Sequence, residues 1–317
     1  MAIRLRQNAN LGLDGPIDVY GLCEQLRVPF RFVDVSMEGM YQRTPTPYII
    51  LSALRPLARR VFNCAHELGH HAFGHGFTID GLVQEHLASV RAGARPAPTR
   101  FQKPPEEFLV DAFAGFLLMP TLALRKAYTV RGLRPETATP AEHFGVACHF
   151  GVGYTTLINH LTFGSKRLSS PCTEQLLRVP LAKIRSAIIG DLASVGRLIV
   201  ADEHWQLPTV DAEVGTHLLL PPGSQYRGDH LVHVADTSAG RVFLASRPGI
   251  SRVHVPNESW AAFVRVSRFQ YVGLGRYRHL DDLSDVSVAD TDAASTRAIA
   301  AQQDAIAGQP AQGGRHG

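Results

Sequence analysis

Cysteine is sparse. Four residues, Cys23, Cys64, Cys148 and Cys172, are scattered through 317 positions with no C-x-x-C pair. That pattern excludes a thiolate-rich metal cluster and a disulfide framework, and it fits reduced thiols in a cytosolic chain. Cys64 reads first as a small buried residue. No apolar run approaches the roughly 18 residues of a membrane-spanning helix. The opening Met1-Ala2-Ile3-Arg4-Leu5-Arg6 lacks the apolar centre of a secretion signal. A cytoplasmic protein with no membrane partner is therefore expected. Charge of one sign is also scarce. The net charge of +4 and a pI near 9.0 permit a nucleic-acid contact but do not argue for one.

Apolar side chains are plentiful, at 45% of the chain. With this length, two or three packed domains are expected. Residues 57–75 hold no proline, and Leu57, Val61, Phe62, Ala65, Leu68 and Gly69 recur at helical spacing. Pro56 suits the start of such a helix, and Gly74 with Gly76 suits its stop. Gly69 inside a helix costs about 1 kcal/mol relative to alanine, which predicts close packing against that face.

Within this helix lies His66-Glu67-Leu68-Gly69-His70. Residues four apart share a helical face, so two imidazoles point one way and can hold one divalent ion. Glu67 falls beside that face, in reach of a water on the ion. Short His/Glu patterns also arise by chance, and a histidine on an apolar helix often belongs to a core. A second segment adds weight. Pro104 to Pro120 reads as a helix with proline at both ends and acids in its first turn. Glu107 and Asp111 are four apart on it. Glu107 is the candidate third ligand, and Asp111 the candidate partner for the outer nitrogen of a ligating histidine. Glu106 and Glu85 remain alternatives for the third ligand. A metzincin is excluded, because Phe73 stands where that pattern needs glycine and Gly76 where it needs histidine. Whether His71 and His75 face the cleft or its wall is open.

HELGH at 66–70, ExxxD at 107–111 and the run DAFAGFLLMP at 111–120 together resemble the ImmA/IrrE family of bacterial metallopeptidases. The resemblance covers roughly residues 15 to 125. It implies a zincin-like fold, a zinc ion (manganese being open through availability), endopeptidase activity, and a protein substrate. That substrate class is a helix-turn-helix transcriptional repressor, cut in a stress, DNA-damage or mobile-element response. In peptidases of this architecture an edge strand pairs with an extended substrate. Tyr48, Ile49, Ile50 and Leu51, a strand just before the metal helix, are the candidates, with an ordinary core strand as the equal alternative.

The rest of the chain gives an α+β reading in parts. Residues 1–128 form the expected zincin-like metallopeptidase domain, with 1–15 as a loose arm, Ile17–Leu26 as a helix and Pro29–Val35 as a strand. Residues 129–178 form a helix-turn-helix-like module. Thr139 with Glu142 suggests a capping box, and Ala147, Gly151 and Leu157 stand at small, turn and core positions of helix-turn-helix. Its second helix, from Thr155 to Phe163, carries no Lys or Arg, which counts against direct DNA binding; a DNA-binding regulator and a metal-dependent regulator that binds its partner without cutting it are the alternative functions. Residues 179–284 alternate with period two between turn-rich joints, giving a β-rich domain; the resemblance implies a GAF-like sensor there, and a plain docking surface is the equal alternative. Residues 285–317, Ala-, Gln- and Gly-rich, read as a disordered tail.

Overall fold

The computed structural model describes residues 1–80 and 104–280. The alternative ligand Glu85 and the expected tail at 285–317 lie outside the described residues. Elements are numbered over the described part.

The N-terminal segment is helical where a loose arm was expected. Helix α1 (Ala2–Asn8) buries Arg6 completely. Its guanidinium donates to Gly12 O (2.9 Å), Gly15 O (2.6 Å) and Leu117 O (2.9 Å). Three carbonyls satisfy the buried charge, and this anchoring orders the arm. Helix α2 (Val19–Gln25) starts where Asp18 accepts from the amides of Tyr20 and Gly21. Strands β1 (Phe30–Val33), β2 (Gly39–Gln42) and β3 (Tyr48–Ser52) follow. Strand β2 lies in a stretch that reads as turn residues in the sequence.

Helix α3 (Leu57–Phe73) carries the histidine motif and buries the unbroken run from Asn63 to His70. It ends at Gly74, whose φ of 74° takes the left-handed cap. Strand β4 (Phe77–Asp80) comes next, then α4 (Pro105–Leu118) and α5 (Thr121–Val130). No single described helix is long and apolar enough to cross a membrane; α4 and α5 reach that composition only as a pair bent by 42°. The close approach predicted at Gly69 is present. A Cβ there would sit 2.7 Å from Val110 and 3.0 Å from Phe113, both on α4.

The first sheet has the order β13-β1-β3-β2-β4, where β13 is Gly273–Leu274. Strand β3 runs parallel to β1 on one side and antiparallel to β2 on the other. Its main-chain groups are committed on both sides, so Tyr48, Ile49, Ile50 and Leu51 cannot accept a substrate strand. Ile49, Ile50 and Leu51 are core residues instead. The edges of this sheet among the described residues are β4 and β13.

Helices α6 (Pro140–His149) and α7 (Tyr154–Asn159) flank a turn at Gly151, with φ 65°. The capping box forms, with Glu142 N–H donating to Thr139 Oγ1 and Thr139 N–H to Glu142 Oε2. A single π-type turn, His160–Gly164, extends α7. Tyr154, Leu157, Ile158, His160, Leu161 and Thr162 are buried. His160 Nε2 donates to Met119 O at 3.0 Å, and its ring sits over Gly115 of α4. This second helix turns inward and buttresses α4.

After α8 (Ser170–Leu177) and α9 (Leu181–Ile189) the chain becomes β-rich. Strands β5 (Arg197–Val200), β7 (Thr216–Leu220), β10 (Gly240–Ala245) and β9 (Leu231–Thr237) make one four-stranded sheet. Strands β6 (Thr209–Glu213), β12 (Ala261–Ser267), β11 (Gly249–His254) and β8 (Gln225–Arg227) make another. Both contribute to one core that includes Val210, Leu218, Phe243, Val253 and Val264.

Candidate metal centre

The local sequence of α3 decides how its histidines present themselves. The four-residue spacing puts His66 and His70 on one face, and their Nε2 atoms lie 3.2 Å apart. From α4, Glu107 brings Oε2 to 3.2 Å from His66 Nε2 and Oε1 to 3.5 Å from His70 Nε2. One ligand atom from each residue lies within 4.8 Å of the other two. A tetrahedral ion about 2.0–2.1 Å from each ligand spaces those ligands about 3.3 Å apart. The three side chains are close enough together that they could hold such an ion. Glu106 points to solvent on the same turn.

The outer nitrogens of the two rings are held as well. His66 Nδ1 is 3.0 Å from Asp111 Oδ1. A carboxylate can only accept, so His66 Nδ1 donates to Asp111, and a neutral ring would then turn its Nε2 lone pair toward Glu107, where a cation would sit. His70 Nδ1 is 2.8 Å from His75 Nδ1. The His75 amide also donates to His70 O across the Gly74 turn, which folds this second ring back onto the helix. His71 turns elsewhere, its Nδ1 taking the Tyr41 hydroxyl at 2.9 Å. Burial holds the His71 pKa below its ordinary value.

Glu67 is 1% exposed and lies against β2. A Cβ on Gly39 would approach its Cδ to 3.0 Å. Strand β2 is fixed there by Glu38, which accepts from Asn63 Nδ2 (2.9 Å) and Arg59 Nε (2.8 Å) of α3. Sequence reasoning passed over Gly39 and Glu38. The glycine before Met40-Tyr41 looks like a turn residue, and only the packing of β2 on α3 reveals its use. The place of His75 is equally hidden in the sequence, since it depends on the left-handed turn at Gly74.

Two helices bring two imidazoles and a carboxylate together as a group that could hold a metal ion, with a buried glutamate alongside. Residues 23–162 match the family model of the IrrE N-terminal-like domain. That match supports the resemblance of this segment to the ImmA/IrrE family of metallopeptidases. No curated protein matches the chain. Among solved structures, a Mycobacterium tuberculosis transcriptional regulator aligns with 17% identity and a TM-score of 0.33, covering 53% of this chain and 47% of its own. The chain thus spans about half the length of that structure.

Proposed function

We propose that the protein is a metal-dependent endopeptidase in which His66, His70 and Glu107 hold the ion and Glu67 moves the proton. The spacing of the three donor atoms, all within 4.8 Å of one another, carries this reading. The set suits zinc, and manganese fits where it is more available. When bound, such an ion acidifies a water toward pKa 7 and polarises the scissile carbonyl. Glu67, walled in by β2, is the group placed to accept a proton from the attacking water and to hand it to the leaving amine. Asp111 and His75 keep the two ligating rings in orientation and tautomer. The outer edge of β4, unpaired among the described residues, offers main-chain groups to an extended peptide.

The proposed substrate is a cytoplasmic helix-turn-helix repressor, cut to release stress, DNA-damage or mobile-element genes. Support for this class is the family resemblance. The inward-facing second helix of the 139–163 segment supports a buttressing role there over direct DNA binding. The β-rich part after residue 179 is the candidate for docking or GAF-like sensing. The test is incubation of the zinc-loaded protein with the helix-turn-helix repressor encoded nearest to it. Wild type is expected to cut it, and Glu67→Gln to leave it intact. Equal cutting by both would remove Glu67 from the mechanism.

A further inference from the structure

The charged side chains least suited to a core lie where β6 meets α3. Arg60, in the first turn of α3, pairs through Nη2 with Glu213 Oε1 of β6, and each side chain is 2% exposed. The same guanidinium lies over the Phe32 ring of β1, 5.4 Å from its centroid. Glu213 is held in turn by the amide of Gln270, 3.1 Å away. Two further contacts tie the β-rich part to the peptidase sheet and its helices. Arg265 of β12 donates to Asp211 Oδ2 (2.8 Å) and to Asp18 Oδ2 (2.9 Å), the cap of α2. Strand β13 pairs with β1, and Arg278 just after it lies 4.8 Å from the centroid of Tyr20.

Burying an ion pair gives little net stability over apolar residues of the same volume, yet removing one partner is strongly destabilising. Such a pair is satisfied at one separation only, whereas apolar side chains tolerate sliding. Position is what the pair supplies. Arg60 lies six residues before His66, roughly 9 Å along the helix axis. A helix is stiff along its length, so a shift at Arg60 carries His66 and His70 with it. Glu107 rides on α4, which is anchored by different contacts, Arg6 at Leu117 O and His160 at Gly115. The two ligand-bearing helices pack on each other at Gly69 and are each tied to a further part of the chain as well, with the Glu213 contact reaching α3 alone of the two.

We propose that Arg60 and Glu213 are positioning residues for the metal centre, through which the β-rich part sets the distance of His66 and His70 from Glu107. This inference rests on the metal reading above. A ligand or partner that displaced β6 would then alter metal affinity without touching the site.

The experiment is a zinc titration of the full chain against a chromophoric chelator, with melting of the metal-free protein in parallel. Glu213→Gln is expected to weaken zinc binding by roughly tenfold, the scale of lost outer-shell support. The double variant Arg60→Met/Glu213→Leu removes both charges and is expected to melt at or above the wild-type temperature. Its zinc binding is nevertheless expected to stay roughly tenfold weaker than wild type. Recovery of wild-type zinc affinity in the double variant would show that the pair only stabilises the fold, and would overturn the proposal. Unchanged affinity in Glu213→Gln would overturn it too. Failure of the wild type itself to bind zinc would instead sink the metal reading on which it stands.

Discussion

The Nδ1 atoms of His70 and His75 lie 2.8 Å apart. A ligating histidine usually hands its outer proton to a carboxylate, a carbonyl or water. Here a second imidazole takes that place, and Gly74 makes it possible by turning the chain back at φ 74°. Replacing His75 with alanine removes the ring that meets His70 Nδ1. Zinc affinity is expected to fall by roughly tenfold with the helix content unchanged. Chelator competition and far-ultraviolet circular dichroism check the two halves of that statement.

Gly39 gives a second expectation. A methyl group there would meet the Glu67 carboxylate, which is already buried. Gly39→Ala is expected to displace Glu67 while sparing the three donors on α3 and α4. Peptide cleavage should drop by at least about tenfold, equivalent to 1.4 kcal/mol or more in the barrier. Zinc stoichiometry should stay at the wild-type value. Loss of zinc together with activity would place Gly39 in the metal scaffold instead.

Gly69 sits where α3 and α4 touch. An added methyl would fall 2.7 Å from Val110 and 3.0 Å from Phe113. Overpacking of this kind costs about 1–3 kcal/mol, against about 1 kcal/mol gained in helix propensity. Gly69→Ala should therefore lower the urea midpoint, and by spreading the two helices it should weaken zinc binding as well. A variant more stable than wild type would contradict the close packing.

How much of this was legible in the residues depends on how local each feature is. The His66–His70 face follows from helical periodicity alone, and Gly74 announces the end of the helix. Glu107 required matching two helices 37 positions apart (70 to 107), which the paired motifs allowed. The content of Tyr48–Ser52 shows a strand but not its neighbours. Strands β1 and β2 enclose it because β1 pairs in parallel across the intervening hairpin strand, a choice made by tertiary packing. The N-terminal arm looked loose because its order comes from one residue, Arg6, bonded to a carbonyl 111 positions away. Strand β13 and the Arg60–Glu213 pair are likewise long-range and leave no local trace.

Acid should weaken the fold through two buried histidines outside the metal centre. Burial pushes His143 down to about 4 and His149 down to about 3. Both folded values lie below the unfolded value of about 6.5. Their stabilising contribution is therefore complete above about pH 6.5 and is lost as the pH falls toward 4. Between pH 6.5 and 4.5 each can remove on the order of 2–3 kcal/mol. Urea midpoints at pH 7.5 and 4.5 test this, with His149→Leu expected to narrow the difference. An acid-insensitive midpoint in the wild type would contradict the assignment.

The most direct test of the central claim is an anomalous-difference map, collected at the zinc edge, from crystals of the zinc-loaded protein. The account predicts one peak about 2.0–2.2 Å from His66 Nε2, His70 Nε2 and a Glu107 oxygen. A peak that leaves Glu107 uncoordinated, or that lies away from the histidine pair, would contradict it.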